Sequence, residues 1–157
     1  KALLGHERSM IADAFGAGGG VAGGRSLAEH ALRYQGRDGE GRLADPVARD
    51  QVARLEMEAR AFALTMQRTR DAAKAGHQPG PETSIFKVVG TELNQRRQDL
   101  RVRLAGPQAL GWEGPGFDEE ELQLTRDWLR SRGNTIEGGT SEIQRNVIAK
   151  RVLGLPV

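Results

Sequence analysis

The spacing of apolar residues along two long segments, each bounded by glycine and proline, constrains the fold more than any other feature. After Asp45, apolar side chains recur at alternating intervals of three and four residues, at Val52, Leu55, Ala59, Phe62 and Met66. An α-helix has about 3.6 residues per turn, so this spacing places the five side chains on one face. Asp45 is a favourable N-cap, and Pro46 suits the first helical position. The pattern predicts a long amphipathic helix from residue 46.

Two later segments show the same helical pattern. The first runs from about Glu82 to Leu104, with a predicted inward face of Ile85, Val89, Leu93, Leu100 and Leu104. The second begins with Asp118 as a cap and Glu121 three residues later, a pairing typical of a capping box. Its predicted inward face is Leu122, Thr125, Trp128 and Leu129.

Glycine- and proline-rich breaks divide the chain into about five segments. None of these segments alternates apolar and polar residues at every second position, so strands are not expected. With 157 residues the chain can bury one core. We therefore predict an all-α fold in one domain, residues 1–157, built as an antiparallel, up-and-down bundle of four to five helices.

Composition excludes several classes of protein. The formal net charge is +2, and aromatic residues make up only 4% of the chain, without the basic stripe of a nucleic-acid-binding protein. The chain has no cysteine, and its three histidines are scattered, so neither a disulfide framework nor a metal site is expected. No apolar run approaches the roughly 20 residues that a membrane-spanning helix needs, and no signal peptide is apparent. We expect a cytoplasmic protein.

A glycine turn before the last helical segment is the strongest candidate for a binding site. Gly138 and Gly139 allow the backbone to approach a ligand closely, and Thr140 and Ser141 add hydroxyls where a helix is expected to begin. Unpaired backbone N–H groups in a first helical turn favour anions. We expect Ile143, Val147 and Ile148 on one side of this helix and Gln144, Arg145 and Lys150 towards the other. Taken alone, the pattern also fits an ordinary capped helix.

Two nucleotide-binding patterns near the N-terminus have the wrong context. Residues 18–23 match G-x-G-x-x-G, and residues 19–26 nearly match a P-loop, with Arg25 in place of lysine. Both motifs require a buried strand before the glycines, and residues 7–13 instead suit a helix. We interpret the glycines as close packing or a local break.

The run from Gly138 to Asn146, continued by Arg151 to Pro156, closely resembles the C-terminal signature of the acyl-CoA dehydrogenase family. Residues 3–8, 44–50 and 91–96 also resemble that family. Family members are flavoenzymes with an N-terminal helical domain, a middle β-domain and a C-terminal helical bundle. The resemblance implies that this chain is the bundle alone, a fragment that lacks the first two domains. Its first residue, Lys1, fits that interpretation.

The family's reaction desaturates an acyl-CoA thioester and needs a base for the α-proton and an acceptor for the β-hydride. A carboxylate whose pKa is raised by burial suits the first role, and flavin suits the second. One family position for the base holds Gly138 here, and Glu137 is one residue too early. The other position matches His6-Glu7-Arg8, so Glu7 is the predicted catalytic base. The alternative is that Glu7 is a surface acid paired with Arg8 or with a helix neighbour.

The remaining site residues are also implied by the resemblance. Thr140, Ser141 and Glu142 correspond to residues that contact FAD, and Gly138 and Gly139 are expected beside the acyl-CoA thioester. Arg8 is a candidate substrate contact. Arg33 stands where the family often has an arginine that reaches the FAD pyrophosphate of a neighbouring subunit.

Two motifs depart from the family pattern. Arg33-Tyr34-Gln35-Gly36 lacks a phenylalanine and is one residue short, and residues 103–107 replace the usual Gln-x-x-Gly-Gly. Both departures fall on positions that the resemblance assigns to flavin contacts. They fit either a divergent enzyme or a chain that pairs with a different subunit.

Two functions follow. In the first, the chain belongs to an FAD-dependent acyl-CoA dehydrogenase, an oxidoreductase that passes electrons to an electron-transferring flavoprotein and forms a homodimer or homotetramer. In the second, it is a non-catalytic partner in a hetero-oligomer that serves assembly and completes a flavin site. In either case we expect the isolated chain to be inactive and to self-associate through surfaces meant for other domains.

Overall fold

The computed structural model describes residues 25–77 and 80–156. The only strand-like pairing within these ranges is an isolated antiparallel bridge between Arg37 and Leu43. The predicted all-α fold class is confirmed. The described ranges contain five α-helices: α1 (Leu27–Gln35), α2 (Pro46–Lys74), α3 (Thr83–Ala105), α4 (Glu119–Ser131) and α5 (Ser141–Val147). The 3₁₀ segments Gly106–Leu110 and Arg132–Thr135 follow α3 and α4, and a π-helical turn, Ile148–Val152, follows α5.

The described residues form two compact units. We call residues 25–58 and 94–132 the α4 unit, and residues 59–77, 80–93 and 133–156 the α5 unit. Helices α2 and α3 each contribute one part to each unit. No helix in the described ranges is long and apolar enough to cross a bilayer.

The starts of α2 and α4 are those that the sequence predicts. Helix α2 begins at Pro46, and the Asp45 carboxylate accepts a hydrogen bond from the backbone N–H of Val47 at 2.8 Å. Asp118 caps α4 in a complete capping box with Glu121. Such a cap stabilises a helix by about 1 kcal/mol, because it pairs N–H groups that have no partner within the helix.

Interlocked apolar and polar contacts form the core of the α4 unit. Leu27 and Leu124 are each 1% exposed, and Leu124 packs with Ala105 and Ala109. Two side chains in α4 also bind neighbouring segments: Thr125 Oγ1 donates to the Ala109 carbonyl at 2.7 Å, and Trp128 Nε1 donates to Asp99 at 2.7 Å. These directional bonds fix the rotation of α4 about its own axis.

In the α5 unit, aromatic side chains from α2 and α3 pack together. The rings of Phe62 and Phe86 meet edge to face with centroids 6.2 Å apart, and Met66, one turn further along α2, is also buried. Arg145 of α5 forms an ion pair with Glu92 of α3 at 2.6 Å, which ties the short last helix to the longer one.

The predicted inward faces are partly wrong. Leu129 is 48% exposed, whereas Leu124, which the pattern did not place in the core, is almost fully buried. In α5 the prediction fails at two positions, since Ile143 is 51% exposed and Gln144 is completely buried, whereas Arg145 and Lys150 are exposed as expected. Gln144 is buried because its amide binds the glycine turn.

Candidate functional site

The glycine turn between the 3₁₀ segment Arg132–Thr135 and helix α5 has the backbone that its sequence requires. Gly138 and Gly139 have φ angles of 65° and 91°, a region that side-chain-bearing residues rarely adopt. Before them, the Gly133 carbonyl accepts hydrogen bonds from the N–H groups of Ile136 and Glu137. The chain therefore reverses at the two glycines and enters α5 directly.

Thr140 caps α5, as its position in the sequence indicates. Its hydroxyl accepts a hydrogen bond from the Ile143 N–H at 3.3 Å. The pKa of Glu142 is lowered, first by a hydrogen bond from its own backbone N–H and then by the Thr140 hydroxyl. Thr140, Ser141 and Glu142 are thus brought together with Gly138 and Gly139 in one segment of the α5 unit.

The side chain of Gln144 is hydrogen-bonded to the backbone of the turn. Its Nε2 donates to the Gly138 carbonyl at 3.0 Å. A β-carbon added to Gly139 would lie 2.7 Å from that same nitrogen, which is too close for a real contact. Gly139 is therefore required both by its φ angle and by the space that the Gln144 amide occupies.

Three buried polar atoms in the α5 unit have no hydrogen-bond partner. They are Ser141 Oγ, Gln144 Oε1 and Lys87 Nζ. The exposed fractions of Ser141 and Gln144 are 4% and 0%. Most buried polar groups in proteins are paired, so such atoms call for a partner from outside the chain or from water. Two of the three atoms belong to α5, and one of these, Ser141 Oγ, is on a residue predicted to contact the cofactor.

The sequence patterns missed Lys87 and Gln144. Gln144 was assigned to the polar side of α5. Lys87 interrupts the apolar run Ile85-Phe86-Lys87-Val88-Val89, and a single charge within such a run is a signal that could have found it. Only the folded structure shows that this lysine is 2% exposed.

Arg33 lies in the α4 unit, and its guanidinium is already paired with carboxylates. Its guanidinium donates to Asp118, to Glu120 at 3.1 Å and to Glu121 at 3.4 Å. The hydrogen bond to Asp118 is the main reason that the pKa of Arg33 is raised and that of Asp118 lowered. The neighbouring Tyr34 donates to Glu121 at 3.0 Å, and burial, aided by this bond, raises the pKa of Tyr34 to about 12.

The remaining predicted residues, Glu7 and Arg8, lie outside the described residues, as do the glycines of the two nucleotide-binding patterns. Their roles stay predictions. Within the described ranges no group of three His, Cys, Asp or Glu side chains could hold a metal ion.

Comparison with known proteins identifies the family to which this chain belongs. The sequence profile described as "Acyl-CoA dehydrogenase, C-terminal domain" matches residues 1–153, almost the whole chain. The chain belongs to the acyl-CoA dehydrogenase family. This family consists of oxidoreductases that are generally FAD-dependent.

Curated relatives support this assignment. Acyl-CoA dehydrogenase FadE34 of Mycobacterium tuberculosis is 32% identical over 112 residues, which is 71% of this chain and 14% of that protein. Acyl-CoA dehydrogenase IpdE1 of Mycolicibacterium smegmatis is 31% identical over 132 residues, which is 84% of this chain and 31% of that protein. The chain therefore spans less than a third of the length of either relative.

Solved structures share the fold. The ChsE4–ChsE5 complex from Mycobacterium tuberculosis matches with a TM-score of 0.66 and 27% identity, over 84% of this chain and 35% of that one. An acyl-CoA dehydrogenase from Geobacillus kaustophilus matches with a TM-score of 0.71 and 22% identity, over 95% of this chain and 37% of that one. The helices described here therefore form the helical fold of the C-terminal domain.

Proposed function

We propose that this chain is the C-terminal helical domain of an FAD-dependent acyl-CoA dehydrogenase that desaturates an acyl-CoA thioester between its α and β carbons. The observation that supports this most directly is the turn at Gly138 and Gly139, which lies beside buried, unpaired polar atoms and the residues that resemble the family's FAD contacts. In this proposal the rest of the enzyme, including a β-domain, lies in sequence that this chain does not contain.

The side chains near the turn fit a dinucleotide. The Ser141 hydroxyl can donate and accept, and Gln144 Oε1 can accept from a ligand hydroxyl while Nε2 keeps the turn closed. Thr140 and Glu142 complete the proposed cofactor contacts. Gly138 and Gly139 carry no side chain that would obstruct a thioester placed against the turn. When bound, the flavin supplies a hydride acceptor for the β-hydrogen.

Glu7 is the proposed base, with Arg8 as a neighbouring substrate contact. Its task is to accept the α-proton of the bound thioester, which requires a carboxylate held close to that carbon and shielded from water. Glu137 is the competing acid near the turn. Asn134 donates to the Glu137 carboxylate, so this acid already has a hydrogen-bond partner three residues away in its own segment.

Glu7→Gln in the assembled enzyme that contains this chain tests the assignment. We expect the turnover number to fall by about 10²–10⁴-fold, the usual effect of losing a general base, while FAD content stays the same. Glu137→Gln is the matched control, with less than about a tenfold change expected. A Glu7→Gln enzyme that turns over near the wild-type rate would remove Glu7 from the mechanism.

The second function is that of a non-catalytic partner subunit in a hetero-oligomer. Two observations favour it: the related ChsE4–ChsE5 structure is a complex of two different chains, and the Arg33 guanidinium is already bound to carboxylates of its own chain. The flavin spectrum of each subunit separates the two functions. If this polypeptide carries no flavin of its own but its partner does, the partner role holds; electron transfer to an electron-transferring flavoprotein would then start from the partner.

A further inference from the structure

Lys87 is a buried cation without a counter-ion in contact. It lies on α3 between Phe86 and Val88, which are 5% and 8% exposed, and is itself 2% exposed. Its Nζ has no hydrogen-bond partner, and the described residues contain no carboxylate within ion-pair distance of it. An ammonium group has three N–H donors, and leaving them unpaired in a protein interior is strongly unfavourable.

The carboxylates of Glu137 and Glu142, which flank the glycine turn on either side, act electrostatically on the Lys87 ammonium. Burial lowers the pKa of Lys87, and the two carboxylates partly oppose that effect. The ion pair between Glu92 and Arg145 joins α3, which carries Lys87, to α5, which follows the turn.

Lys87 Nζ is one member of a set of three unpaired polar atoms. The other two, Ser141 Oγ and Gln144 Oε1, belong to α5. Since Gln144 Nε2 is committed to the Gly138 carbonyl, its Oε1 is held in place and faces away from that bond. A ligand that pairs all three must offer at least one acceptor oxygen to the ammonium and at least one hydroxyl or N–H to the amide oxygen. A flavin dinucleotide, with its phosphates, ribityl hydroxyls and ring carbonyls, meets both requirements.

We propose that Lys87 is a further cofactor-binding residue, whose ammonium donates to an acceptor oxygen of the flavin dinucleotide seated against the turn at Gly138 and Gly139. This inference rests on the proposed function. It explains why a charged side chain is kept among apolar neighbours: the free energy that its burial costs the apoprotein is recovered when the ligand binds.

The test is Lys87→Met in the assembled enzyme, with FAD affinity and apoprotein stability measured separately. Methionine is close to lysine in shape and removes the charge. We expect the FAD dissociation constant to rise at least about tenfold, the effect of losing one hydrogen bond to a charged group, while the melting temperature of the apoprotein stays the same or rises. If Lys87 had only a structural role, Lys87→Met would change the stability of the apoprotein but not the affinity for FAD. Lys74→Met, at a lysine whose side chain is 77% exposed, is the matched control and should leave both values unchanged.

The remaining outcomes are also decisive. If the wild-type assembly binds FAD and Lys87→Met binds it equally well, Lys87 is a structural residue paired through water, and the proposed function stands without it. If the wild-type assembly binds no FAD, the proposed function fails and this inference fails with it. Should Lys87→Met not fold, Lys87→Gln, which keeps a hydrogen-bond donor, must show a weakened FAD affinity for the inference to survive.

Discussion

Gly139→Ala should destabilise the α5 unit for two separable reasons. The φ angle of 91° disfavours any β-carbon by about 1–2 kcal/mol. The added carbon would also lie 2.7 Å from Gln144 Nε2, so the amide must leave the Gly138 carbonyl. Leaving the buried Gln144 amide and the partly buried Gly138 carbonyl unpaired adds about 1–3 kcal/mol. We expect a total loss of about 2–5 kcal/mol in the free energy of unfolding.

Two other alanine variants separate the contributions. Gly76 has a φ of 90° and nothing within 4 Å of the position that an added methyl group would take, so Gly76→Ala reports backbone strain alone. Gly116 has neither the positive φ nor a close neighbour, so Gly116→Ala should change stability by less than about 0.5 kcal/mol.

All three variants are measured by urea denaturation followed by circular dichroism. The protein concentration is kept the same throughout, because self-association shifts the apparent stability. A double-mutant cycle with Gln144→Ala completes the design. In that background Gly139→Ala should lose only as much as Gly76→Ala. Equal losses for Gly139→Ala and Gly76→Ala in the wild-type background would refute the reasoning about the amide.

Two further predictions concern the α4 unit. Leu124→Ala should lower the free energy of unfolding by about 2–5 kcal/mol, because the side chain is 1% exposed. Leu110→Ala is the control and should change it by less than about 0.5 kcal/mol, because that side chain is 79% exposed. Urea denaturation of both variants measures the difference. His30 should make stability fall with acid. Burial lowers its pKa in the folded state, so the unfolded chain binds more protons, and the stabilisation present above about pH 6.5 is lost as the pH falls below it. Between about pH 7.5 and about pH 5.5, the urea midpoint should therefore drop less in His30→Gln than in the wild type. The exposed-site control His77→Gln should behave like the wild type. An equal drop in all three proteins would contradict this prediction.

The sequence predicted the features of the fold that depend on local chemistry. Asp45-Pro46 and the Asp118–Glu121 pair mark helix starts because capping uses atoms within a few residues of each other, and both starts are confirmed. The family signature also located the turn at Gly138 and Gly139. Positive φ angles favour glycine, so such a turn can be recognised in the sequence.

What the sequence missed depends on contacts between distant segments. Helical periodicity gave α5 an apolar face that included Ile143, yet the buried residues are Ser141 and Gln144, and the Gln144 amide is paired with the turn. Leu129 fits the period of α4 but is half exposed, while Leu124 is enclosed by residues from the end of α3 and the segment after it. Lys87 looked like an interruption of an apolar run, because nothing in its neighbours along the chain reveals what its ammonium faces.

The carboxylates around Arg33 decide what kind of group can approach it. Residues 118–121 are four consecutive acids, and within the described part of the chain two arginines, Arg25 and Arg33, form ion pairs with them, so four negative charges face two positive ones there. A diphosphate that diffuses towards this end of α4 is therefore repelled before it reaches the guanidinium. On this argument, a chain that delivers a dinucleotide to this end of α4 needs positive charge of its own to offset these acids.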